Sequence, residues 1–268
     1  MTGRTRSLFL MLLVLPVVIA LGCGGGQQAP AEQAAPAEQP AAPAAQAAAP
    51  AAQAADVAKH MHEHLTRVAA MQEAVIRGDV EAAVEPARWI ADHQPTAGLP
   101  AGQEAVLADM KKQAAVVAEA KDAKNAATAT AMVISYCGTC HAAAKITAAI
   151  PEAPKPPADG PLAAHMMEHQ WATELLYQGL VMPSEERWQK GLAAMQGTPL
   201  AEKDLPKDAK LTKEVAALEK KVHEMAGKAK TATDIGTKVA FYGEYIGGCA
   251  GCHGLHGTVW GPGLPKTQ

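Results

Sequence analysis

"SYCGTCHAAAK" (residues 135–145) and "GGCAGCHGLHG" (residues 247–257) each contain a Cys-x-x-Cys-His pentad: Cys137, Cys140 and His141 in the first, Cys249, Cys252 and His253 in the second. The two pentads lie 112 residues apart and take four of the five cysteines. Only fifteen residues follow His253, too few to build a domain behind it. Whatever folds around the second pentad must therefore precede it.

Upstream, the chain repeats itself. "HMHEHLTRVAAM" begins at His60 and "HMMEHQWATELL" at His165, an offset of 105, with His60/His165, Met61/Met166, Glu63/Glu168 and His64/His169 matching. Each copy opens on a His-Met-x-Glu-His helix and closes on a pentad, the pattern of an internal duplication. Between the copies, residues 150–162 hold five prolines and a glycine, which stop helices. Apolar periodicity predicts helices over 56–77, 79–93, 102–121 and 122–146 in the first copy, and over 160–181, 184–196, 209–227 and 231–253 in the second. Asp79, after Gly78, and Ser184, before Glu185 and Glu186, read as helix caps. Gly254 is expected to cut the last helix short. Aromatic residues make up only 4% of a chain rich in alanine, which suits helices rather than sheets. The expected fold is all-α: two tandem four-helix bundles joined by short connections, the first over 56–150, a linker at 151–160 and the second over 161–268.

The N-terminus reads as an export signal. Arg4 and Arg6 precede an apolar run from Leu8 to Leu21, broken only by Pro16 and too short at fourteen residues for a membrane span of ~18–20. Cys23, between small residues and glycines, is the expected lipidation site of a lipoprotein, so that residues 1–22 are removed and a lipid anchor ties the protein to the membrane. Residues 23–55, almost all Ala, Pro, Gln and Glu after the glycines, have little to bury and read as a disordered tether. The expected location is the periplasm or cell envelope. A net charge of −3 without a basic stripe argues against a nucleic-acid partner.

A Cys-x-x-Cys-His pentad in an exported chain reads as a c-type haem attachment site. The two thiols add to the haem vinyls and the histidine ligates iron from one face. Two pentads imply two haem c groups, held by Cys137, Cys140, Cys249 and Cys252, with His141 and His253 on iron. A redox Cys-x-x-Cys is expected beside a β-α-β pattern, which the sequence lacks. A zinc site would draw further ligands from the histidine-rich opening helix.

Late pentads preceded by helices resemble the class II cytochromes c, the cytochrome c′ type, over about 90 residues of each copy. The resemblance implies a four-helix bundle with haem on the last helix and a residue of the first helix facing the open side of the iron. His64 and His169 hold that place, each within an apolar stripe, and are the expected sixth ligands. Met61 and Met166 are their chief rivals. His60 and His165, one turn earlier, are expected to meet a haem propionate or solvent and are the other alternative. His62, His93, His223 and His256 lack counterparts and are expected on the surface, as is the charged run from Glu202 to Lys230. The function expected on these grounds is electron transfer between redox partner proteins rather than enzymatic turnover. The alternatives are a gas-binding or sensing module, a haem peroxidase and a zinc-binding lipoprotein.

Overall fold

The computed structural model describes residues 45–256 apart from 100, 147–149, 152–153, 156–159 and 206–207. The signal segment, Cys23 and the first part of the tether lie outside the described residues. The described residues belong to one compact unit.

The described residues are helical, with no strand among them: α1 (Ala45–Ile76), α2 (Val84–Asp92), α3 (Glu104–Glu119), α4 (Ala123–Ala143), α5 (Pro161–Val181), α6 (Glu185–Met195), α7 (Ala209–Ala229) and α8 (Ile235–His256), with a single 3-10 turn at Glu202–Asp204. Local chemistry sets four of the N-terminal ends among the described helices. The Asp122, Ser184 and Asp208 side chains accept from the backbone N–H groups of Asn125, Arg187 and Leu211, filling donors that a helix N-terminus leaves open. Gly160, at φ 84°, takes a conformation other residues avoid, directly before Pro161 at the first helical position of α5.

Three ends differ from the sequence expectation. Asp79 caps a turn, accepting from the N–H of Ala82 at 3.0 Å, and α2 starts only at Val84. α1 begins at Ala45, inside the stretch read as tether, because an alanine-rich segment has the highest helix propensity and Gln53 finds a surface against Gly98. α8 continues through Gly254 to His256. A glycine within a helix costs only about 1 kcal/mol, which a well-packed helix tolerates.

Packing follows the repeat. In the first half α1 packs on α2 and α4, and α3 on α2 and α4; in the second, α5 packs on α6 and α8, and α7 on α6 and α8. The halves meet through α4 on α8, flanked by α4 on α5 and α1 on α8. One apolar core runs through both, from Val68, Met71 and Ile134 to Leu176, Trp188 and Ile246. Small residues allow the central contact: a Cβ on Gly243 of α8 would lie 3.1 Å from the Thr128 Cα of α4, and one on Gly247 3.4 Å from the Ala127 Cβ. The alanine-rich composition thus serves close helix approach as well as propensity. Across the same interface the buried Tyr242 hydroxyl donates to Gln72 Oε1 at 2.9 Å. The connection between halves is pinned by Arg187, whose guanidinium donates to the Ile150 carbonyl and to Gln178.

Candidate cofactor and metal sites

The pentads occupy the last turns of α4 and α8. Their four cysteines are free and half-buried. Burial pushes the Cys137 and Cys249 thiols up to about 12 and Cys252 to about 11, and raises Cys140 as well. Thiols held protonated in this way are poorly suited to act as redox nucleophiles or ready thiolate ligands. They remain compatible with thioether attachment.

Each pentad histidine bonds across the interface. His141 Nδ1 lies 2.8 Å from the carbonyl of Val181, the last residue of α5, and His253 Nδ1 lies 2.7 Å from the carbonyl of Ile76, the last residue of α1. Helix C-termini leave such carbonyls without intrahelical partners. A carbonyl only accepts, so Nδ1 carries the proton and Nε2 presents the lone pair, the arrangement a metal-binding imidazole needs. Ile76 and Val181 are 105 residues apart, the same offset as the opening helices. The two bonds are therefore equivalent under the repeat, each half orienting the other's histidine.

The neighbouring glycines show the same exchange. A Cβ on Gly138, between the first pair of cysteines, would overlap the Leu180 carbonyl and lie 3.4 Å from Pro183 Cγ. The second pentad has Ala250 at that place, and it faces Gly78, where a Cβ would come 3.2 Å from the Ala250 carbonyl. Gly78 stands where the second copy has Pro183. The larger partner on one side of each contact is thus met by the smaller on the other, and Gly78 at φ 74° also needs the freedom of glycine.

His60 and His64 do not stand alone on α1. With His93, which follows α2, they place one ring nitrogen each within 4.8 Å of one another. His93 Nε2 is 3.2 Å from His60 Nδ1, its ring stacks on Trp89 at 3.8 Å, and its carbonyl accepts from Lys111 Nζ. Burial, then the positive potential of His60, His93 and Lys111, lowers His64 to about 4, so this imidazole is neutral at pH 7. Its Nε2 is buried with no hydrogen-bond partner.

The second half has a fuller group: His165 and His169 of α5 with Glu219 and His223 of α7, again with one donor atom each within 4.8 Å. Glu219 Oε1 contacts His165 Nε2 and lies 3.0 Å from His223 Nε2. Burial pushes the Glu219 carboxyl up, but the bonds from His165 and His223 outweigh it and hold the group ionised, well below the usual carboxylate range. His169 is lowered to about 3, by burial first and then by His165. Its Nε2 is likewise buried and unpartnered. Tyr245, one turn before Cys249, donates to the His169 carbonyl at 3.1 Å and shares a 2.6 Å bond with Thr173, which ties the second pentad to this part of α5.

Sequence reasoning placed His93 and His223 on the surface and Glu219 in a solvated run; the structure brings all three into these groups, half-buried or buried. The available signal was a second i, i+4 pair, Glu219 and His223, matching His165 and His169 in spacing. Met61 and Met166 are half-buried, Glu168 pairs with Lys155, and His62 is exposed as expected. No helix among the described residues is long and apolar enough to cross a membrane. Comparison of the chain with protein-family models, with curated proteins and with solved structures gives no match.

Proposed function

We propose that the protein is an exported dihaem c-type cytochrome that carries electrons, built as two tandem four-helix bundles of the class II cytochrome c type. The observation that carries this reading is the matched pair of bonds from His141 to the Val181 carbonyl and from His253 to the Ile76 carbonyl, which leaves each pentad with a correctly oriented imidazole beside two free thiols. Haem c attached at such a site supplies a one-electron couple at iron. Cys137 and Cys140, and likewise Cys249 and Cys252, would hold the two groups covalently, with His141 and His253 as ligands. The carbonyl partner raises the basicity of each imidazole and fixes its plane.

In the first half His64 offers a neutral, buried and unpartnered Nε2, the state a sixth ligand would require. Met61, the rival, has no comparable signature. In the second half His169 holds the matching place, but in the company of a buried carboxylate. Export and lipidation at Cys23 complete the proposal from sequence, placing the carrier in the cell envelope with soluble or membrane-bound redox proteins as partners.

The test is the haem content of mature protein produced with its cytochrome maturation machinery. A pyridine haemochrome assay should return two haem c per chain, and one after Cys137→Ala/Cys140→Ala. A count of zero sinks the proposal.

A further inference from the structure

We propose that His165, His169, Glu219 and His223 form a binding site for a divalent transition-metal ion, zinc or ferrous iron in class, distinct from the two Cys-x-x-Cys-His pentads. The site stands on its own donors and does not depend on the haem reading.

α5 and α7 both pack on α6 and α8, so they are the diagonal pair of the second half and their facing side chains meet in its interior. Each contributes two donors one helical turn apart, His165 with His169 and Glu219 with His223. Two i, i+4 pairs on facing helices is a common way for a helical bundle to surround a metal. Zinc–ligand bonds of about 2.0–2.2 Å put tetrahedral donors roughly 3.4 Å apart. The donor atoms here already lie within 4.8 Å of one another, so shifts of about 1 Å at the side-chain ends close the shell.

Hydrogen bonds alone do not satisfy this group. Glu219 Oε1 accepts from His223 Nε2 and lies in ion-pair contact with His165 Nε2, while the buried His169 Nε2 shares the same small volume with no partner. A buried polar atom without a partner costs about 1–3 kcal/mol. A cation at the centre meets all four donors at once. The charges agree: the ionised Glu219 carboxylate is 7% exposed, and a divalent ion would be compensated by it. His60, His64 and His93 have no carboxylate in their group and lie near Lys111, so no divalent site is assigned there. One consequence is that a metal bound here would occupy His169 and so withhold it from a haem attached at the second pentad.

A haem uses one imidazole on each face, so three imidazoles and a carboxylate at one point exceed what a sixth ligand requires. The two halves also reach their groups differently, with His93 coming from the end of α2 and Glu219 and His223 from α7. Copying of an inherited ligand by duplication does not produce that difference.

The experiment equilibrates mature, haem-loaded protein with Zn²⁺, dialyses it, and measures zinc by mass spectrometry alongside the haemochrome count. The expected result is one zinc per chain, with at least 100-fold weaker binding in Glu219→Gln and in His223→Ala, and an unchanged count in the His60→Ala/His93→Ala variant. Far-UV circular dichroism and the haem count establish that each variant is folded. Wild type without zinc, or a count that survives in both Glu219→Gln and His223→Ala, overturns the site. So does loss of zinc in the His60/His93 variant or in Cys249→Ala/Cys252→Ala with α7 intact. A haem count of zero in mature protein that still binds one zinc would sink the cytochrome proposal and leave this one standing.

Discussion

Gly138→Ala is the sharpest probe of how the halves are joined. The added methyl would overlap the Leu180 carbonyl, a backbone atom fixed in the last turn of α5 that cannot rotate away. α4 and α5 must separate locally, and the nearest bond to be stretched is that from His141 Nδ1 to the Val181 carbonyl, one residue on. Overpacking of a tight contact costs typically 1–3 kcal/mol, and loss of one hydrogen bond adds about 0.5–1.5 kcal/mol. The expected destabilisation is about 2–4 kcal/mol, against a gain in helix propensity of at most about 1 kcal/mol from replacing glycine. For a unit of this size, roughly 2–4 °C per kcal/mol puts the fall in Tm at about 4–16 °C, read by far-UV circular dichroism. The reduced visible spectrum should shift as well, since His141 loses its orienting carbonyl. The reciprocal change, Ala250→Gly, leaves Gly78 in place and should cost no more than about 1 kcal/mol. A Gly138→Ala protein with wild-type Tm and spectrum would refute the cross-half geometry.

Two further outcomes follow from the histidines. His64→Ala should convert one of two haems from low to high spin, seen in the near-infrared and by carbon monoxide binding to the reduced protein; an unchanged low-spin spectrum would move the ligand role to Met61 or His60. In haem-free and metal-free polypeptide, His64 and His169 titrate lower when folded, at about 4 and about 3, than the ordinary 6.5. The unfolded chain then binds more protons between those values, so stability is fully present above about pH 6.5, falls as pH drops, and stops falling on their account near pH 3. Urea midpoints measured from pH 7.5 to 3 in wild type and His64→Ala/His169→Ala check this: the pH slope should flatten in the double variant, and equal slopes would refute it.

Much of the architecture is legible in the residues. The 3.6-residue periodicity and the cap at Ser184 place helices, because these are local interactions within a turn or two. Helix ends are less legible where local preferences compete, as at Ala45, where alanine propensity extends α1, and at Val84, where Asp79 caps a turn ahead of α2. Repetition of His-Met-x-Glu-His and of the pentads identifies the duplication, and the chemistry of Cys-x-x-Cys-His singles out the cysteines and histidines that matter. His64 and His169 were found because the repeat preserved them. His93, Glu219 and His223 were not, since each belongs to one copy only.

What the tertiary structure decided lies between elements distant along the chain. His253 meets Ile76 177 residues away, and His141 meets Val181 in the opposite half. Periodicity reports which face of a helix is apolar but not which helix covers it, so the close approach of Gly138 to Leu180 and Pro183, and of Gly78 to Ala250, is visible only with the halves set against each other. The same holds for Glu219. Within its helix it is one charge in a polar run, and only the approach of α5 and α7 across the bundle turns it into a buried carboxylate facing three imidazoles.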